Sequence, residues 1–195
     1  MENELLLNDI GSTDQRIACL ILLGDPNVGK TKLFRTFCGH PSQQSYKPTL
    51  GVDCDSKTVS TERGDLTIHI RDPSGEHSVS YLTQRFIKQC DGVVFVYNTG
   101  SEESFQGVSY WNDLVNQICP RKPFKKFLIG NHLTHTRSIP HKTAQDFAHS
   151  IGAQLMEFTM IDPASVTQAV IYMAERSIEK ENEQRENDCC CLALL

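Results

Sequence analysis

One eight-residue segment constrains this chain more than any other: Gly24-Asp25-Pro26-Asn27-Val28-Gly29-Lys30-Thr31. It satisfies the spacing G-x-x-x-x-G-K-[ST]. A continuous apolar run, Ile17 to Leu23, precedes it, as expected for a strand buried on both faces. A helix-like stretch, Lys32 to Cys38, follows. In that context the backbone N–H groups of the loop and of the helix N-terminus point at an anion and grip it. The candidate phosphate-binding set is therefore Asp25, Pro26, Asn27, Val28 and Gly29, with Lys30, Thr31 and Lys32 at the helix start. Lys30 adds a positive charge at the β and γ phosphates, and the Thr31 hydroxyl is placed to ligate Mg2+. Pro26 has no N–H, so the loop offers one donor fewer there. Asn27 tolerates left-handed geometry better than most non-glycine residues. The plain alternative, a glycine turn with an exposed lysine, does not explain the flanking strand and helix.

The rest of the chain alternates strand and helix. Lys57 to Thr61 and Leu66 to Arg71 read as strands, with Arg63-Gly64-Asp65 as the turn between them. Gly92 to Tyr97 and Lys126 to Ile129 read as buried strands, and Gln154 to Thr159 as a short last one. Helical patterns occupy about Val79 to Gln89, Val108 to Ile118 and Lys142 to Ile151, and a longer one follows Pro163. The expected fold is α/β: a single domain with a mainly parallel six-stranded sheet flanked by helices.

Charge and composition exclude several classes. The net charge of -5 argues against a general nucleic-acid binder. No apolar stretch approaches the ~20 residues of a membrane span. The start, MENELLLNDI, lacks the basic and long apolar regions of a signal peptide, so a cytoplasmic chain is expected. Of 8 cysteines, Cys19, Cys38, Cys54, Cys90 and Cys119 are scattered and read as reduced thiols. Cys189, Cys190 and Cys191 are contiguous.

Three further segments discriminate among phosphate-loop proteins. Tyr46-Lys47-Pro48-Thr49-Leu50-Gly51-Val52-Asp53 resembles the first switch of Rab GTPases, and Asp72-Pro73-Ser74-Gly75-Glu76 the second. Asp91 to Phe105 resembles the Rab stretch around the fourth strand, and Trp111 falls where those proteins commonly carry tryptophan. The resemblance, to the Rab branch of the Ras-like small GTPases, covers about Arg16 to Ile178 in order and spacing. It implies a P-loop NTPase domain of the Ras-like kind, binding GTP or GDP with Mg2+. It also implies roles. Thr31, Thr49 and Asp72 would hold the metal, and the Gly75 N–H would meet the γ-phosphate. Lys30 and the residue at Glu76 would serve hydrolysis. The ordered loops would present a surface to effector proteins and to exchange and activating factors.

The chain also departs from that pattern. Glu76 stands where the family places a glutamine that orients the attacking water. An ionised carboxylate donates no hydrogen bond and adds negative charge beside the reacting phosphate. A glutamate acting as general base is the other reading; the expectation is slow hydrolysis. Guanine recognition is eroded as well. The family's N-K-x-D reads Asn131-His132-Leu133-Thr134 here, so the charged bidentate acceptor is lost. Thr159, Met160 and Ile161 align with the S-A-K loop, and Ser42 with an aromatic that contacts the base edge. The base-binding candidates are accordingly Asn131, His132, Thr134, Thr159 and Met160, with His135 a possible compensating side chain.

The tail resembles the looser Rab class of prenylated endings: Cys189, Cys190 and Cys191 are lipidation candidates, although C-a-a-X is not met because position 192 is leucine. Two lipid chains would anchor the protein peripherally on intracellular membranes. The expected division is an N-terminal extension at 1–15, a GTPase domain at 16–178 and a flexible tail at 179–195. The leading reading is a switch of vesicle-mediated membrane traffic. The alternative is a non-cycling pseudo-GTPase adaptor that uses the fold as a scaffold. A small phosphate-loop kinase lacks an arginine-bearing lid, and a metal site on His132, His135 and His141 lacks ligand spacing.

Overall fold

The computed structural model describes residues 16–41, 49, 51–77, 80–132, 136–159 and 162–179. Several expectations therefore lie outside the described residues: Ser42, Tyr46 to Pro48, Leu50, Leu133, Thr134, His135, Met160, Ile161, the extension at 1–15 and the tail cysteines Cys189, Cys190 and Cys191.

The elements run β1 (Arg16–Leu23), α1 (Lys30–Cys38), β2 (Val52–Thr61), β3 (Gly64–Pro73), α2 (Tyr81–Gln89), β4 (Gly92–Asn98), α3 (Glu102–Ile118), β5 (Lys125–Asn131), α4 (His141–Ser150), β6 (Ala153–Phe158) and α5 (Pro163–Ile178). The sheet has six strands in the order β2-β3-β1-β4-β5-β6. Among the described residues, only the β2–β3 pair is antiparallel. The expected fold class holds.

Period-two alternation divides the core. Ala18, Leu20 and Leu22 of β1, Val94 and Val96 of β4, and Phe127 and Ile129 of β5 face one side. There they meet Leu33, Phe34 and Phe37 of α1 and Val166, Val170 and Met173 of α5. Ile21, Leu23, Val93, Phe95, Tyr97 and Leu128 face the other, against Ile87 of α2, Val108, Trp111 and Val115 of α3, and Ala144 and Ala148 of α4. Each such aliphatic side chain contributes about 1.5–3 kcal/mol on burial, so the central strands are fixed from both faces.

Some boundaries differ from the sequence reading. The turn after β2 is Glu62-Arg63 rather than Arg63-Gly64-Asp65, because Gly64 and Asp65 already pair with Thr61 and Ser60. Helix α3 starts at Glu102, six residues before Val108, on a cap in which the Ser101 side chain accepts from the Ser104 N–H.

The connections place the site. From β1 the chain passes through α1 and β2 to β3 on one side of β1, then through α2 to β4 on the other. The carboxyl end of β1 is thus the point where the winding reverses, the usual crevice for a ligand in an open α/β sheet. Gly24, Asp72, Asn98 and Asn131 lie at the ends of β1, β3, β4 and β5 there.

Candidate functional site

Helices α1 and α4 open without a side-chain cap, unlike α2, α3 and α5. Side-chain oxygens cap α2, α3 and α5, at Ser80, Ser101 and Asp162. The cap of α1 is Gly29, at φ 103°, with no side-chain bond and no acid in the first turn. Its first N–H groups are left to a ligand, which is the arrangement an anion needs. Asn27, at φ 63°, is the non-glycine residue of positive φ among those described. Val28 is buried, while Pro26, Asn27 and Lys32 are exposed. At the helix start Lys32 thus offers its backbone rather than a buried side chain.

Lys30 is 6 % exposed. Its Nζ donates to the carbonyl oxygens of Gly24, at 2.7 Å, and Asp25, at 2.8 Å. An ammonium carries three donors, so the third is available to a phosphate. Burial pulls the Lys30 pKa down to about 8, against the opposing pull of Asp72 and Asp25.

The three metal candidates converge from α1, from the segment before β2 and from β3. The Thr31 hydroxyl donates to Asp72 Oδ2 at 2.6 Å and lies 3.1 Å from the Thr49 hydroxyl. Asp72 is fully buried, and burial lifts its carboxyl to about 6. Its Oδ1 has no partner among the described residues. Two hydroxyls and a carboxylate with a spare oxygen are hard oxygen donors of the kind Mg2+ takes. The Asp72 orphan and the lysine beside it fit a divalent cation with an anionic ligand.

The second-switch segment lies over this cradle. A Cβ on Gly75 would fall 2.6 Å from Lys30 Nζ and 2.6 Å from the Pro26 nitrogen. Only glycine permits that approach. Glu76 is exposed beside it, and its N–H donates to Ser74 Oγ. Its side chain lines a cleft of about 470 Å³ with Asp25, Pro26, His77 and Glu103.

On the base side, Asn131 is fully buried and its Nδ2 donates to the Val28 carbonyl at 3.0 Å, clipping the phosphate loop to β5. Its Oδ1 is also without a partner among the described residues. His132 is half-buried, and its Nδ1 lies 2.9 Å from Thr99 Oγ1, so one ring nitrogen is committed to the β4–α3 connection. Thr159 is half-buried just beyond β6. Thr134 and Met160 lie outside the described residues.

Sequence reasoning missed one constellation. The Asp25 carboxylate turns away from the phosphate cradle toward α3. Its Oδ1 accepts from Trp111 Nε1 at 2.9 Å and lies 3.0 Å from His77 Nε2. The His77 ring stacks on Tyr110 at 4.3 Å, and the Tyr110 hydroxyl donates to the His77 carbonyl. Asp25 Oδ2 sits 2.2 Å from where a Cβ on Gly107 would be. Loop, second switch and α3 are thus joined through one carboxylate. The available signals were the acid inside an anion-binding loop and the glycine inside a helix.

Comparison with known proteins points to one family. Residues 19–180 match the Ras family. The chain is 32% identical over 167 residues to the Ras-related protein RABD2a of Arabidopsis thaliana, covering 85% of this chain and 82% of that protein. With that match, the chain belongs to the Ras family, as a Ras-like GTPase of the Rab type.

Proposed function

We propose that this chain is a Mg2+-dependent guanine-nucleotide switch that regulates vesicle-mediated membrane traffic, with slow hydrolysis and weakened preference for guanine. The observation that carries the proposal is that the Thr31 hydroxyl lies within hydrogen-bond distance of both Thr49 and Asp72, on the residue next to the buried Lys30.

In this reading the backbone of residues 25–32 and the Lys30 ammonium bind the β and γ phosphates. Thr31, Thr49 and Asp72 would hold Mg2+, which supplies neutralisation of phosphate charge when bound. The Gly75 N–H faces the γ-phosphate, so its presence or loss changes where the second-switch segment rests. Glu76 accepts a proton from water but, ionised, cannot donate to it, and this slows hydrolysis. Asn131, His132, Thr134, Thr159 and Met160 form the base pocket without the charged bidentate acceptor. Residues 16–178 act as the nucleotide-binding domain. The segment 179–195 carries lipid on Cys189, Cys190 or Cys191 and places the protein on an intracellular membrane, where effectors and exchange and activating factors meet its switch loops.

The experiment is calorimetry of the purified chain with GTP, GDP and ATP, with and without Mg2+. Binding of both guanine nucleotides that strengthens with Mg2+, with ATP within about tenfold, is expected. No measurable affinity for any of them refutes the proposal. A second reading, a non-cycling adaptor, is favoured by the exposed Glu76 and by the commitment of His132 to Thr99. Partners captured equally by the GDP form and by the form loaded with a non-hydrolysable GTP analogue would select it.

A further inference from the structure

The far end of α1 carries a second constellation, independent of the nucleotide reading. Cys38 is the last residue of α1, and His40 follows after one glycine. Gly39 adopts φ 77° and its N–H returns to the Arg35 and Thr36 carbonyls, while the His40 N–H donates to the Arg35 carbonyl at 2.9 Å. This left-handed stop fixes the Cys-Gly-His corner. Asp55 approaches from β2, on the half-buried face that also carries Lys57 and Val59. Cys38 Sγ, a ring nitrogen of His40 and a carboxylate oxygen of Asp55 all lie within 4.8 Å of one another. His40 Nε2 and Asp55 Oδ2 are 2.7 Å apart, and Asp55 Oδ1 accepts from the Ser56 N–H.

We infer that Cys38, His40 and Asp55 form a Zn2+ site with water in the fourth position. One thiolate, one imidazole and one carboxylate are the donor types zinc takes, and a hard ion such as Mg2+ does not favour sulfur. Zn–S of about 2.3 Å and Zn–N or Zn–O of about 2.0 Å place tetrahedral ligand atoms roughly 3.3–3.6 Å apart. The three side chains meet that by opening the 2.7 Å His40–Asp55 contact and closing any separation that approaches the 4.8 Å limit, each by about 1 Å. Lys57 is the cation that faces Cys38. Its Nζ is held by the Phe37 carbonyl at 3.0 Å and lies over the Phe37 ring at 5.2 Å, so it is anchored beside the site. Burial and a hydrogen bond to Asp55 push the Cys38 thiol up to about 11, and zinc displaces that proton on binding. The bound ion joins α1 to β2 and so clamps both ends of the chain that runs through Thr49, a Mg2+ candidate.

The test uses the full-length chain and its variant with Cys189, Cys190 and Cys191 changed to serine, since three contiguous thiols would bind metal themselves. Co2+ is the probe, because a thiolate ligand gives near-ultraviolet charge transfer and a tetrahedral site gives strong visible absorption; binding at the hydroxyl and carboxylate oxygens of the nucleotide site gives neither. The tail variant is expected to bind one Co2+ with both bands, and Zn2+ should displace it. Cys38→Ser should abolish the charge-transfer band. His40→Ala, at an exposed position that leaves the fold intact, and Asp55→Asn should each weaken Zn2+ at least tenfold. Absence of the band in the tail variant, its persistence in Cys38→Ser, or unchanged Zn2+ affinity in either of the other variants would overturn the assignment.

Discussion

Replacing Asp25 by alanine should destabilise the domain and report itself through the chain's one tryptophan. Trp111 is 1 % exposed, and its Nε1 donates to Asp25 Oδ1 at 2.9 Å. Alanine leaves that indole N–H buried without an acceptor. Loss of a hydrogen bond to a charged acceptor, with its donor left desolvated, costs about 2–3 kcal/mol. The pairing with His77 adds little, because the histidine side chain is 56 % exposed. At ~2–4 °C per kcal/mol for a domain of this size, the thermal midpoint should fall by about 5–10 °C. Asp25→Asn keeps an acceptor oxygen and should cost about 1 kcal/mol or less. The assay is thermal denaturation of both variants with circular dichroism, followed in parallel by tryptophan emission, which should shift in the native state of Asp25→Ala only. If Asp25→Ala melts with the parent, or if the asparagine variant is as damaged as the alanine variant, the carboxylate is not what joins loop and helix.

Three other perturbations test the remaining parts of the site. Asp72 has a folded pKa raised to about 6 from 3.8, so the folded state holds the proton more tightly, and stability on its account falls as pH rises from about 4 to 6. Without nucleotide and with chelator, Asp72→Asn should gain about 3 kcal/mol on the parent over that interval in denaturant titrations, two units at ~1.4 kcal/mol each. Gly75→Ala forces a methyl group against Lys30 Nζ and Pro26 and should weaken triphosphate binding more than diphosphate binding, by at least tenfold in nucleotide competition. Glu76→Gln restores a donor for the attacking water and should raise the single-turnover hydrolysis rate at least tenfold; an unchanged rate would assign the slow step elsewhere.

The sequence was most informative where structure is local. The phosphate loop, the buried strands and the faces of α4 and α5 follow from spacing alone, and each lies within a residue or two of its expected limits. The start of α3 was hidden because Gly107 interrupts a helical pattern, and that glycine answers to Asp25, 82 positions earlier in the chain, whose carboxylate occupies the space a side chain would need. The hairpin turn was displaced because Gly64, a turn residue by habit, already pairs with Thr61. His77 gave no signal, since its partners Asp25 and Tyr110 are brought to it only by the stacking of α3 on the sheet. The convergence of Thr31, Thr49 and Asp72 came from the resemblance rather than from any periodicity. The metal-ligand corner at Cys38 and His40 needed β2 to supply Asp55.

The bond from Asn131 to the Val28 carbonyl spans 103 positions. A truncated chain that stopped before β5 would retain every letter of the phosphate motif and both switch segments, yet it would lack the hydrogen bond that holds the Val28 carbonyl at the loop's far rim. Possession of the motif and possession of a working receptor for the nucleotide are therefore separate events during synthesis. The second waits until Asn131 has been made and a fifth strand has been laid alongside the fourth.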